Sequence, residues 1–302
     1  VRVFVTGASG WVGSAVVPEL LGAGHQVLGL ARSDAAADAL RAAGAEVHRG
    51  SLADPDGLVG AAAGTDGVIH LAFTVDFAGF AAAAATDLAA VEALGGALAG
   101  TGKPLVITSG TLMIPMIAPG RPGTEDIRPP AGSGLPRVAS EAAALALAER
   151  DVRTSVVRLA PTVHGPGDRG FLPALIDVAR EHGVAGYIGD GANRWPAVPR
   201  PDAARLYRLA LESAPAGSVL HGVAEEGIPF RDIAEVIGRR LGVPTARVDP
   251  EHFGFLAAFA GTDNPTSSAL TQKLLDWQPD HPGLLADLAA GSYFAAGAGS
   301  KF

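Results

Sequence analysis

Cysteine is absent from all 302 residues, which removes disulfides, thiolate nucleophiles and Cys-based metal sites and leaves the redox compartment unreadable from that source. Runs of Lys and Arg are also missing. The 23 basic residues are outnumbered by 31 acidic ones, for a net charge of −8, so no positive stripe is available to track a polynucleotide and nucleic acid is not an expected partner. No charged leader precedes an apolar core, and no apolar run of about 18 residues goes uninterrupted. Secretion and membrane contact therefore lack support, and a cytoplasmic location is the expectation. Tyrosine and lysine are scarce, three of each. That scarcity limits the acid–base chemistry open to the chain.

The opening residues carry the strongest positive signal. An apolar strand, Val1 to Val5, runs directly into Thr6-Gly7-Ala8-Ser9-Gly10-Trp11-Val12-Gly13 and then into a helical pattern. Glycines at 7, 10 and 13 allow a sharp turn, close approach of a pyrophosphate to the backbone, and tight packing of the helix on the sheet. The helix N-terminus adds unpaired N–H groups and a favourable dipole. Farther along, short β-branched runs near 26–30, 45–48, 67–71, 104–108, 153–159 and 217–221 alternate with Ala- and Leu-rich helical stretches. This alternation predicts an α/β, Rossmann-type doubly wound parallel sheet. Residues 1–160, together with 202–222, are expected to form the nucleotide-binding core. The Pro-punctuated remainder of 161–302 is expected to form a smaller C-terminal lobe holding a small-molecule substrate.

The second strand ends in Ala31-Arg32-Ser33, where an adenosine ribose should lie. A carboxylate there would bind both ribose hydroxyls of NAD, whereas the fork of Arg32 suits a 2′-phosphate, so NADP is expected over NAD. Asp34 could reach a ribose hydroxyl or cap the next helix. Leu52 is placed against the adenine, and Asp54 is a candidate cap for the third helix.

With these residues in place the chain resembles the extended short-chain dehydrogenase/reductase superfamily, in its epimerase/dehydratase-like branch that includes 3β-hydroxysteroid dehydrogenase-like and dihydroflavonol reductase-like proteins. Thr6 to Gly13 fits the family's Thr-Gly-x-x-Gly-x-x-Gly. His70-Leu71-Ala72 fits the turn after the fourth strand, Thr108-Ser109-Gly110-Thr111 the end of the fifth, and Arg158 to Gly167 the Arg-x-x-x-x-x-Tyr-Gly-Pro-Gly segment. The resemblance implies that Leu71 and Ala72 line the nicotinamide side, that Pro161 to Val163 face the carboxamide, and that helices 78–99 and 137–149 pair two subunits into a homodimer.

It also exposes a gap. The family's Tyr and Lys, four residues apart on one helix face, are found nowhere: Tyr187, Tyr207 and Tyr293 are followed at that spacing by Gly191, Leu211 and Gly297. Arg137 and Glu141 occupy those positions, either as an i,i+4 ion pair or as a reassigned site in which Arg137 polarises a carbonyl or anchors an anionic group while Glu141 holds ribose hydroxyls. Ser109 and Thr111 are the first choices for binding a carbonyl oxygen, with backbone capping as the plainer role. His164 is a candidate proton donor or a structural turn residue, and Tyr187 is a further candidate. Phe73, Val75, Met113, Tyr187, Trp195 and Phe253 or Phe255 suggest an apolar substrate pocket, and 190–198 reads as a loop crossing it. The expected activity is reduction of a carbonyl or related group on a small-to-medium apolar substrate. A silent NADP-binding module and an epimerase or dehydratase that retains its cofactor are the alternatives.

Overall fold

Among the residues described by the computed structural model, 1–73, 79–129 and 135–294, seven parallel strands form the central sheet. Val75 lies outside the described residues. The first half of the chain runs β1 (Arg2–Thr6), α1 (Gly13–Gly22), β2 (Gln26–Ala31), α2 (Asp34–Ala42), β3 (Glu46–Arg49), α3 (Pro55–Ala63), β4 (Gly67–His70), α4 (Phe80–Leu98), β5 (Pro104–Gly110), a one-turn α5 (Ile114–Ile117), α6 (Pro136–Ala146) and β6 (Arg153–Leu159). The second half adds β7 (Thr162–His164), α7 (Phe171–His182), β8 (Ala185–Tyr187), β9 (Arg194–Pro199), α8 (Arg200–Ser213), β10 (Ser218–Gly222), β11 (Glu225–Pro229), α9 (Phe230–Leu241), β12 (Thr245–Arg247), α10 (Ala257–Ala260), α11 (Ala269–Leu275) and α12 (Leu284–Ala290). The sheet order β10-β6-β5-β4-β1-β2-β3 reverses direction between β1 and β4. A ligand crevice opens at the carboxyl ends of strands flanking such a switch point.

Strand side chains alternate between the two faces, and this alternation sorts the core. Val3, Val5, Ile69, Val106 and Val157 pack under α1, α2 and α8. Phe4, Val68, Leu105, Ile107 and Val156 pack under α3, α4 and α6. Carrying the alternation to the strand ends puts Thr6, His70 and Arg158 on the α4/α6 face and Thr108 on the α8 face. Their partners agree: His70 meets Asp87 of α4, Arg158 meets Glu141 of α6, and Thr108 meets Tyr207 of α8.

The 19 residues of α4 are long and apolar enough to cross a membrane by length and composition, with Thr86, Asp87 and Glu92 interrupting the run. Ala84, Asp87, Ala90, Val91, Leu94 and Leu98 form its buried stripe, which packs against α3, α6 and β5.

A second core lies in the lobe, where Trp195, Phe230, Ile233 and Leu256 are buried between α7, α9 and the three-stranded sheet β7-β9-β11. The chain does not divide sequentially at residue 160. Strand β10 pairs with β6, and Leu275 and Trp277 return to the main core, where Trp277 Nε1 donates to the Asp202 carbonyl at 3.0 Å.

The turn between β1 and α1 is the tightest backbone packing that positions the site. A Cβ on Gly13 would fall 2.1 Å from the Gly7 carbonyl oxygen and 2.8 Å from Ala8 Cα. Because both obstacles are backbone, Gly13→Ala is expected to cost about 2–3 kcal/mol by overpacking. Gly22→Ala in the same helix meets nothing within 4 Å and should be neutral or slightly stabilising. Paired thermal melts of the two variants check this.

Candidate cofactor and active site

A cleft of about 630 Å³ follows the carboxyl ends of the strands, with Gly7, Ser9, Gly10, Trp11, Val12 and Gly13 as its floor. Gly7 has φ +66°, and a Cβ there would lie 2.7–2.9 Å from the backbone of Leu71 and Ala72. The loop is therefore pressed against the turn after β4. Gly10 N–H donates to the Gly7 carbonyl at 2.9 Å, closing the turn, and Ser14, Ala15 and Val16 N–H donate to the Gly10 and Val12 carbonyls, so the helix dipole and the loop N–H groups before Ser14 are what the turn offers an anion. The size of the cleft, the side-chain-free cradle and the helix N-terminus all suit a dinucleotide pyrophosphate.

At one end of the cleft lie Leu30, Arg32, Ser33, Ala36 and Leu52. Ser33, not Asp34, is the N-cap of α2: its Oγ accepts from Ala36 N–H at 3.2 Å. Asp34 turns outward to Arg49 at 2.9 Å. That pairing offsets the one carboxylate that would repel an anion beside Arg32, which carries no ion pair among the described residues. Asp54 caps α3 by accepting from Gly57 N–H at 3.1 Å.

At the other end the cleft is lined by Leu71, Ala72, Phe73, Thr86 and Asp87, and behind these runs a buried polar chain. His70 Nε2 lies 3.1 Å from Asp87 Oδ1, and His70 Nδ1 lies 2.8 Å from Thr6 Oγ1. The carboxylate accepts from Nε2–H, which makes Nδ1 an acceptor for the Thr6 hydroxyl. Thr6 Oγ1 in turn accepts from Ala72 N–H at 3.3 Å, so β1, β4 and α4 are locked together at the switch point. Arg137 completes the chain. Its Nη1 stands 3.3 Å from Asp87 Oδ1, its Nη2 donates to the Thr108 carbonyl, and its guanidinium lies 4.0 Å from the Phe73 ring centre. Burial pushes the Asp87 carboxyl up, but the His70 hydrogen bond and the Arg137 charge outweigh this and hold it below its usual value. Three buried polar atoms meet here without an aligned hydrogen bond: Asp87 Oδ2, Arg137 Nη1 and Ser140 Oγ.

Several expected roles are redistributed. Arg137 and Glu141 share a helix face but do not pair. Glu141 is buried against Arg158 of β6, which donates through Nε at 3.1 Å and through Nη2, and the same Nη2 reaches the Ile127 carbonyl at 3.0 Å. A carboxylate spent in this way holds no ribose hydroxyl. His221 closes the cluster from β10, kept neutral by burial that lowers its pKa to about 4. Thr111 is fully buried and its hydroxyl accepts from Asn264 Nδ2 at 3.0 Å, which leaves it the structural role. Ser109 donates only to the weak acceptor Met113 Sδ at 3.6 Å. Met113 packs with Ile114, Ile127 and Val138.

His164 is sealed beneath the lobe, with Nδ1 2.9 Å from Asp287 Oδ2, and does not line the cleft. Tyr187 and Trp195 belong to the lobe's own core: Tyr187 accepts from Arg231 at 2.9 Å, and Trp195 Nε1 donates to the Phe259 carbonyl. Phe253 is buried beside them. Residues 194–199 are strand β9, and Arg194 is committed to Asp263 at 2.8 Å, so no loop crosses the cleft there. Pro161 and Val163 do not line the cleft either; the Val163 carbonyl instead accepts from Trp11 Nε1 at 2.8 Å.

Sequence reasoning missed Asp87 and Arg200. Asp87 was legible, since it breaks an otherwise apolar stripe at 84, 87, 91, 94 and 98. Arg200 had no such signal: it stacks 4.1 Å from the Trp11 ring and brings a cation from the lobe to the glycine loop.

Among known proteins, a family model described as "NAD dependent epimerase/dehydratase family" matches residues 3–221. An uncharacterised protein of Schizosaccharomyces pombe is 50% identical, over 97% of this chain and 100% of its own. A 2-alkyl-3-oxoalkanoate reductase of Stenotrophomonas maltophilia is 31% identical, over 82% of this chain and 77% of its own. The solved dTDP-glucose 4,6-dehydratase of Streptomyces venezuelae, with NAD bound, aligns with a TM-score of 0.74 at 19% identity, covering 97% of this chain and 96% of that one.

Two variants test the electrostatics. Glu141→Ala leaves Arg158 buried without its counter-charge, and is expected to cost about 3–5 kcal/mol in denaturant unfolding. Asp168, whose carboxylate faces His164 and the Tyr293 hydroxyl, is raised by burial from 3.8 to about 6. Its protonated form is therefore favoured by folding. Stability from this group is full below pH 4 and lost as pH rises through about 6, on the order of 3 kcal/mol in all. Asp168→Asn should remove that slope in urea melts from pH 4 to 7.

Proposed function

The chain belongs to the NAD-dependent epimerase/dehydratase family, and from that premise we propose that it is an NADP-dependent oxidoreductase that reduces a carbonyl or related group on a small-to-medium apolar substrate. The observation that carries the reading is the cleft itself, with a glycine cradle in the middle, Arg32 at one end and the Arg137–Asp87 pair behind the other. A nicotinamide dinucleotide bound there supplies hydride. Gly7 to Gly13 and the N-terminus of α1 hold the pyrophosphate, Leu52 flanks the adenine, and Leu71 and Ala72 border the nicotinamide. Arg32 takes the 2′-phosphate through a charge-assisted fork. The bacterial relative that reduces a 2-alkyl-3-oxoalkanoate supports carbonyl reduction as the chemistry.

In place of the family's phenol and ammonium this chain has a guanidinium locked on three sides. Arg137 remains charged at every relevant pH, so it binds and polarises rather than exchanging protons. Phe73 presents an apolar wall beside it, which favours a hydrophobic substrate over a sugar nucleotide. The missing Tyr–Lys pair also favours a second reading, a silent NADP-binding module. Binding of NADPH with no consumption across ketones, aldehydes and imines would select that reading.

Coenzyme preference gives the direct test. The wild-type protein is expected to bind NADPH more tightly than NADH in a fluorescence titration. Arg32→Ala should weaken NADPH about ten- to a hundredfold, the loss of one charge-assisted contact, and leave NADH unchanged. Equal affinities in the wild type would remove the NADP assignment.

A further inference from the structure

We propose that Arg200 supplies the positive field in which the glycine loop binds a pyrophosphate, and that Asp168 cancels this field when it loses its proton. The inference rests on the dinucleotide reading of the cleft and adds a residue of the lobe to it. The cleft is short of positive charge. The chain carries −8 overall, and a nicotinamide dinucleotide brings a doubly charged pyrophosphate. Among the described residues that line the cleft Arg32 is the one cation, and it stands at the adenine end. The glycine cradle in the middle has none.

Arg200 meets that need from the side of the lobe. It opens α8, where its guanidinium lies 4.1 Å from the centre of the Trp11 ring, and Trp11 lines the cleft between Gly10 and Gly13. The indole is itself fixed. Its Nε1 donates to the Val163 carbonyl at 2.8 Å, and a Cβ on Gly165 or Gly167 would lie 3.9 or 3.8 Å from its six-membered ring. The ring face thus holds the cation beside the loop. Among the described residues Arg200 has no hydrogen bond and no ion pair. It acts on a bound phosphate through space, with no contact required.

Asp168 is the carboxyl whose charge bears on Arg200. It is buried on the loop between β7 and α7, where Gly170 N–H donates to Oδ1 at 2.7 Å and Arg169 N–H also reaches it. From beyond α12 the Tyr293 hydroxyl stands 3.3 Å from Oδ2, and it also accepts from Gly165 N–H in the backbone that flanks Trp11. From β7 comes His164, held by Asp287 of α12 at 2.9 Å. Burial raises Asp168 to about 6 and lifts the Tyr293 hydroxyl well above its ordinary range. Below pH 6 the Asp168–Arg200 pair is therefore cationic, and above it the pair is neutral. A bound pyrophosphate favours the protonated carboxyl, so affinity falls as pH rises through about 6, and binding near that pH takes up protons. One charge at this range, screened by solvent, changes the affinity of a dianion by about three- to tenfold.

ADP-ribose is the probe, since it keeps the pyrophosphate and has no 2′-phosphate or other group that titrates from about pH 5.5 to 7.5. In calorimetric titrations at low ionic strength, the wild type should bind it about three- to tenfold more weakly at pH 7.5 than at pH 5.5. Asp168→Asn should keep the pH 5.5 affinity at pH 7.5 and so bind more tightly than the wild type there, a gain that damage to the fold does not produce. Arg200→Gln should weaken binding at pH 5.5 by the same factor, and Arg200→Lys, which keeps the charge, should stay within about twofold of the wild type. The double variant Asp168→Asn, Arg200→Gln should bind alike at both pH values, at the level of the wild type at pH 7.5. A flat wild-type profile, or a slope that survives in Asp168→Asn and so belongs to another group such as His164, overturns the switch and leaves the cofactor site standing. Full affinity in Arg200→Gln at pH 5.5 overturns Arg200 as the source of the field. No binding of ADP-ribose at millimolar concentration removes the cofactor site and this inference with it.

Discussion

One carboxylate organises the switch point of this sheet. Asp87 is buried on α4, yet it is held ionised by His70 on one side and Arg137 on the other. Two charges this deep in the protein cost several kcal/mol each to desolvate, and only the pair together approaches balance. Through His70 the same carboxylate sets the tautomer that orients the Thr6 hydroxyl, which receives Ala72 N–H. The backbone turn of Leu71 and Ala72 at that end of the cleft is thus positioned by a charge on α4, which also gives Ala83 and Thr86 to the lining.

The glycine loop is constrained from the opposite direction. Gly7 sits against Leu71 and Ala72, Gly13 sits against Gly7 and Ala8, and Trp11 reaches across to Val163. Arg200 stacks on the indole from the first turn of α8, while Gly165 N–H donates to Tyr293 at 2.9 Å. The lobe therefore touches the glycine-lined cleft through Trp11, and the large aromatic residues of the lobe fill its own interior.

The fold was legible because it rests on periodicities that survive without coordinates. Strand runs apolar on both parities, a glycine loop at a strand-to-helix junction and regular alternation leave few topologies open. The place of Arg32, Ser33 and Leu52 in the cleft lining was legible for a related reason: they follow strands whose carboxyl ends must line the crevice. Charge pairing was not legible. Arg137 and Glu141 are four apart on α6, and sequence spacing alone favours pairing them, but β5 and α4 compete for one and β6 for the other. Which partner wins depends on strand order, since β6 lies beside β5 and delivers Arg158 directly beneath Glu141. Aromatic residues misled for a similar reason. Trp195 and Tyr187 have the composition of a pocket wall, and only the packing of α7 and α9 makes them core.

The exchange of phenol and ammonium for guanidinium and carboxylate has a physical logic that extends beyond the two positions. A lysine at 141 would place a second cation against Arg158, whose guanidinium is completely buried. With Arg158 in β6, position 141 is best filled by an acid, and a phenol at 137 would then lack the neighbouring cation that lowers its pKa. The loss of one member of the pair removes the use of the other. An arginine at 137 needs no such neighbour to stay charged; it needs a counter-ion, and Asp87 supplies it from across the interface with α4. Burying Arg158, ionising Asp87 and placing an arginine at 137 are therefore parts of one electrostatic arrangement.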